Sequence, residues 1–143
     1  MKNLIIVDRY YIKKLYDASK NGKFPVAKWI RFCKEFVDLG FSVSLYKSKI
    51  SVSKYIYIKK FGRTKKVRFS NHKPNYWKEK NGDCDYFVGI SNSQIITTEV
   101  VAKKIKKYFK KIEYEKNCER LVNARKQSNR INNKISNIIF DFL

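Results

Sequence analysis

Acidic side chains are scarce in this sequence. Of 143 residues only 12 are Asp or Glu, against 33 Lys or Arg, for a formal net charge of +21. Glycine (5), proline (2), cysteine (3) and histidine (1) are scarce as well. No Gly-rich phosphate-cradling loop, Ser-centred nucleophile elbow or metal-spaced cluster occurs. The three cysteines, Cys33, Cys84 and Cys118, are far apart and form no CxxC pair. That spacing suggests neither a zinc ribbon nor a redox motif, and Cys33 falls on an apolar helix face as a core thiol. The segment "MKNLIIVDRYY" has only four consecutive apolar residues before Asp8, too few for a secretory signal. No stretch approaches the roughly 18 apolar residues of a membrane span. The expected setting is a reducing cytoplasm, without membrane association.

What is abundant is base and apolar surface. Hydrophobic residues make up 43% and aromatic residues 15% of the chain, enough to build one core. Lys, Asn, Ile and Tyr are frequent, as in an AT-rich genome. That bias favours Lys over Arg, but it does not favour base over acid. Self-repulsion of this size destabilises a compact state unless a polyanion relieves it. The expected partner is therefore RNA or DNA, or a nucleic-acid-bound protein complex.

In "NLIIVDRYYIKKLYDASKNG", Leu4, Val7, Tyr11, Leu15 and Ala18 recur at helical spacing. A short strand at 4–7 followed by a helix from Asp8 is the competing reading. "FPVAKWIRFCKEFVDLG" puts Val26, Trp29, Ile30, Cys33, Phe36 and Val37 on one stripe, with Pro25 in the first turn and Gly40 at the left-handed stop. The period then changes from 3.6 to 2. "FSVSLYK", "SKYIYIKK" and "KKVRFS" read as an antiparallel meander turning at Phe61-Gly62-Arg63, and "DYFVGIS" as a fourth strand. A helix from about Thr98 is expected to turn Val101, Ile105, Tyr108 and Ile112 inward. From Leu121, the positions Ala124, Ser128, Ile131, Ile135, Ile138 and Phe142 continue a heptad seam. It serves either packing on the chain's own domain or self-association, with a monomer expected. The expected architecture is α+β: a small antiparallel sheet of three to four strands, two N-terminal helices and C-terminal helices. Residues 1–112 form a basic domain and 113–143 an amphipathic helix.

The charge is concentrated. Residues 47–80 hold twelve bases and one acid, and residues 103–134 twelve bases and three acids. Lys103, Lys106, Lys107 and Lys110 fall at i, i+3, i+4 and i+7, one helix face on which like charges repel unless phosphates lie opposite. Arg63, Lys65, Lys66, Arg68 and Lys73 supply the other cation group. His72 sits beside it as a turn or phosphate-contacting residue, and Tyr76 and Trp77 lie in a polar loop where rings can stack on bases. Tyr55, Tyr57 and Phe69, on strands, read as core residues. These site residues are expected to form one continuous surface along a phosphate track.

Catalysis finds little support. His72 with Asp83 and Asp85 is the one combination able in principle to bind a metal or act on phosphodiesters. Nothing in the sequence brings the three together, so no catalytic residue, metal or cofactor is expected.

The order helix (26–39), three strands, helix (98–112) resembles the double-stranded RNA-binding domain. That resemblance implies reading of A-form shape by a lysine-bearing helix and a strand-connecting loop. Here the lysines of "TTEVVAKKIKKYF" come one turn later than in that family, and residues 71–90 add a loop and a strand. "KKVRFSNHKPN", "GDCDYFVGIS" and "TTEVVAKKIKKYF", within residues 26–110, also resemble small proteins of phages and mobile elements through an Arg-x-Ser-x-His run (Arg68, Ser70, His72). This implies a non-enzymatic inhibitor of host defence, of the anti-CRISPR kind, that occupies a nucleic-acid channel or a CRISPR effector. A DNA-binding accessory protein of such an element is the alternative. No helix-turn-helix spacing appears to support it.

Overall fold

The computed structural model describes residues 3–21, 25–49, 53–70, 84–89 and 97–141, with side chains in the last span described to residue 135. His72, Lys73, Tyr76, Trp77 and Asp83 lie outside the described residues. The elements run β1 (Ile5–Ile6), α1 (Arg9–Asn21), α2 (Lys28–Asp38), β2 (Ser42–Lys47), β3 (Lys54–Lys60), β4 (Arg63–Ser70), β5 (Tyr86–Gly89) and α3 (Thr98–Asp141). The class is α+β.

At the N-terminus the strand-then-helix reading is the one that forms. Ile5 and Ile6 pair with Leu45 and Ser44 of β2, and the Val7 amide donates to the Val43 carbonyl at 2.9 Å. Asp8 then caps α1: its Oδ1 accepts from the Tyr11 amide at 2.8 Å, which satisfies one of the free first-turn donors.

Helix α2 buries Trp29, Ile30, Phe32, Cys33 and Phe36. It ends in a Schellman motif. The Gly40 amide donates to the Val37 carbonyl and the Phe41 amide to the Phe36 carbonyl, both at 3.0 Å. Gly40 has φ +86°, a conformation that costs glycine least. The accompanying apolar contact is Phe36 against Phe41, rings 5.3 Å apart at 84°.

The sheet has the order β1-β2-β3-β4-β5. It departs from the expected three or four antiparallel strands in two ways. It has five strands, because two-residue β1 is too short to show alternation in sequence. It is also mixed: β5 pairs parallel with β4, Phe69 beside Val88. A tight hairpin would have made β5 antiparallel, but the long connection from Ser70 to Tyr86 permits a crossover, which a parallel pair requires.

One face of the sheet is the core. Val43, Leu45, Ile56, Ile58, Val67, Phe69 and Val88 are each at most 3% exposed, and the Phe32 ring of α2 meets Phe69 at 5.5 Å. The first turns of α3 belong to the same helix layer: Val101 and Ile105 are buried, and Lys106 pairs with Glu35 of α2. Along α3 the buried apolar positions are Val101, Ala102, Ile105 and Phe109. Tyr108 and Ile112, expected inward, are half-buried.

A single helix, α3, stands where several C-terminal helices were expected, since no Gly or Pro interrupts it. The chain divides into two compact units, Met1–Lys106 and Lys107–Leu143. In the second, Leu121, Ile131 and Ile135 of the heptad seam are 67%, 56% and 50% exposed. No described helix is long and apolar enough to cross a membrane.

Candidate nucleic-acid interface

Strand alternation sends every second side chain of β2–β5 to the face opposite the core. The register assembles that second face into rows. Ser44, Tyr57 and Lys66 are neighbours across β2, β3 and β4; Tyr46, Tyr55, Arg68 and Phe87 form the next row across β2 to β5; Ser42, Lys59 and Thr64 lie on the other side. Three tyrosines, a phenylalanine and two lysines thus share one surface with hydroxyl side chains. Tyr46, Tyr55, Tyr57, Lys66 and Phe87 are half-buried and Lys59 is exposed, while at one end of the same face Ser53, Arg68 and Ser70 are at most 5% exposed.

The aromatic and cationic groups interlock. The Tyr46 and Tyr55 rings lie 5.8 Å apart. The Lys66 Nζ stands 5.0 Å from the Tyr55 ring centroid and 5.6 Å from that of Tyr57, within cation–π range of both. Beside them the Arg68 guanidinium lies 5.4 Å from the Tyr55 ring and donates from Nη2 to Ser53 Oγ at 3.1 Å. The Ser53 and Ser70 hydroxyls are hydrogen-bonded at 2.8 Å. Arg68 is 5% exposed, and its burial lowers its pKa from the ordinary arginine value. Arg68 therefore braces the platform from within.

The edge of β4 beyond Lys66 is tied by Asp85. Its Oδ2 accepts from the Lys66 amide at 2.8 Å, and its own amide donates to the Lys66 carbonyl at 3.1 Å. Lys65 Nζ pairs with Asp85 Oδ1 at 3.4 Å. Asp85, one of the two carboxylates weighed for catalysis, is thus engaged in joining the start of β5 to β4. Cys84 donates to the Lys66 and Tyr86 carbonyls, and burial pushes its thiol up to about 11.

The sequence-predicted site residues separate. Lys66 and Arg68 alternate to the second face, Lys66 half-buried and Arg68 5% exposed, whereas Arg63 and Lys65 alternate to the helix-bearing side. Lys106 pairs with Glu35 in the helix layer, so the sheet stands between it and Lys66. The first unit therefore does not join all these cations along one rim. Lys103, Lys107 and Lys110 are exposed on α3.

Tyr46, Tyr55, Tyr57, Phe87 and Lys59 were missing from the sequence-based site. The sequence pattern reads Tyr55, Tyr57 and Phe69 alike as core; Phe69 is sealed there, whereas Tyr55 and Tyr57 are half-buried on the opposite face. The signal was present in "YIYIK": the β-branched isoleucines alternate with tyrosines, and only the isoleucines are sealed. No known protein family, curated protein or solved structure matches the chain.

Proposed function

We propose that this protein is a small, non-catalytic nucleic-acid-binding protein that engages RNA, or a ribonucleoprotein, through backbone charge and aromatic contact. One observation carries the reading: a second sheet face, opposite the core, on which half-buried Tyr46, Tyr55 and Tyr57 are interleaved with Lys59 and Lys66. A net charge of +21 supports it, since neutralising phosphates releases counterions and relieves self-repulsion. Lysine predominates among the bases, and its compact ammonium contacts phosphate without the bidentate base reading available to arginine. Binding is therefore largely independent of sequence. The resemblance to small proteins of phages and mobile elements supports a biological role in blocking a host-defence ribonucleoprotein such as a CRISPR effector.

The affinity for a short RNA, followed by fluorescence anisotropy, should fall steeply as salt rises, with a log–log slope of about 3 or more. A flat response overturns the reading. In cells carrying a defence system, capture of the effector should disappear after nuclease treatment if RNA is the bridge; persistence would make the effector protein itself the target.

A further inference from the structure

We infer that the exposed heptad seam of α3 is a docking surface for an acidic amphipathic helix of a partner protein, taken up as a coiled coil. The inference is independent of the nucleic-acid reading and uses other residues.

The seam lies within the second unit, Lys107–Leu143. Its a and d positions run Tyr114, Asn117, Leu121, Ala124, Ser128, Ile131 and Ile135, alternate steps of three and four that keep one stripe towards a neighbouring helix. Tyr114, Leu121, Ile131 and Ile135 are each at least 50% exposed, and every residue from 119 to 135 is exposed. A helix in water owes most of its stability to the packing of an apolar face. Over this span the described residues supply none.

Charge names the occupant. Positions e and g flank the seam and meet the flanks of the opposing helix, which sets the choice of partner. From residue 113 to 135 they hold Arg120, Arg125 and Lys134 against one acid, Glu113. In a parallel pair of copies each Arg120 would face an Arg125. An antiparallel pair would have one acid per seam to set against three cations. Such repulsion selects against a second copy, whereas Asp or Glu at e and g of a partner helix turns each clash into an ion pair. Asn117 and Ser128, the polar members of the stripe, restrict the register at a cost in apolar burial. The stripe also separates a helix from a nucleic acid. Phosphates would neutralise the flanking cations but leave Leu121, Ile131 and Ile135 in water, while an amphipathic helix covers both.

The test uses the full chain and three labelled peptides of four heptads, followed by fluorescence anisotropy. The first has Ile at a, Leu at d and Glu at e and g, so that it repels its own copies. The second has Lys at e and g, and the third scrambles the heptad order of the first at the same composition. The first is expected to bind at least about tenfold more tightly than either control, a comparison that needs no variant to fold. Ile131→Asp should weaken it by about tenfold or more, whereas Ile131→Leu, which conserves volume, should stay within about threefold. Arg125→Glu should weaken the first peptide and strengthen the second. Equal binding of the scrambled peptide would mean that charge alone attracts it, and overturns the inference. Unchanged binding by Ile131→Asp overturns it as well. A dimer mass for the unaltered protein in sedimentation equilibrium would assign the seam to a second copy, with the same result.

Discussion

Phe61 has φ +54° and Gly62 φ +72°, the pair of positive values that a two-residue type I′ hairpin between β3 and β4 demands. Glycine accepts this freely, whereas a phenylalanine is disfavoured there by about 1 kcal/mol. Phe61→Asn should therefore raise stability by about 0.5–1 kcal/mol, read as a higher urea midpoint at an unchanged slope. A decrease would show that the contact of Lys60 with the Phe61 ring, at 5.4 Å, outweighs the backbone strain. Cys33 poses a different residue-level question. It is fully buried, and burial pushes its thiol from an ordinary 9.0 to about 12. In the unfolded chain it ionises near 9.0, while in the folded protein it keeps its proton up to about 12. The folded state therefore binds more protons across that window, and the stabilising contribution, intact below the window, is lost as pH rises through it. Denaturant midpoints should fall over this alkaline range, and less steeply in Cys33→Ala. Iodoacetamide at pH 8 should modify Cys118, which is half-buried, before Cys33.

At the scale of elements, α2 and α3 show how differently two amphipathic patterns end. Helix α2 stops because Gly40 can take φ +86° and return two amides to the last carbonyls. Gly40→Ala meets no atom within 4 Å, so its cost is conformational, about 1–2 kcal/mol, and thermal unfolding should register it as a lower midpoint. Helix α3 lacks any such stop and continues past residue 112. Its heptad seam promised a buried stripe, in which an aspartate at Ile131 would cost several kcal/mol. With Ile131 56% exposed, Ile131→Asp should instead leave stability within about 0.5 kcal/mol. A large loss in unfolding experiments, or a halved mass in light scattering, would reveal that another surface covers the seam.

For the whole molecule, the decisive quantity is where its net charge of +21 lies. Residues 47–80 form one basic block in sequence, but β-structure divides adjacent cations between two sides. Lys65 goes to the helix-bearing side and pairs with Asp85 at 3.4 Å; Lys66 goes to the aromatic face. This yields a sharp comparison between neighbours. Lys66→Glu should weaken RNA binding by 1 kcal/mol or more and lower the salt slope by about 1, whereas Lys65→Glu should change either quantity far less. Equal effects in the anisotropy titration would mean that the polyanion does not distinguish the two faces.

Local patterning alone determined much of this protein. The apolar stripe and Gly40 define α2 and its end; the change to a period of two defines β2, β3 and β4, with their turn at Phe61-Gly62. These features depend on residues a few positions apart, where helical and strand periodicities act. The concentration of positive charge is equally plain in the sequence. The parallel pairing of β5, the pairing of two-residue β1 and the single span of α3 depended on partners or continuity beyond such a window. The site depended on them most. A period of two says that Tyr55, Tyr57 and Lys59 share a face, and that Ile56 and Ile58 share the other. Which face the helices seal is decided only when Phe32 of α2 packs on Phe69, because burial is a property of what arrives from elsewhere in the chain. That packing leaves the tyrosines on the face opposite the core.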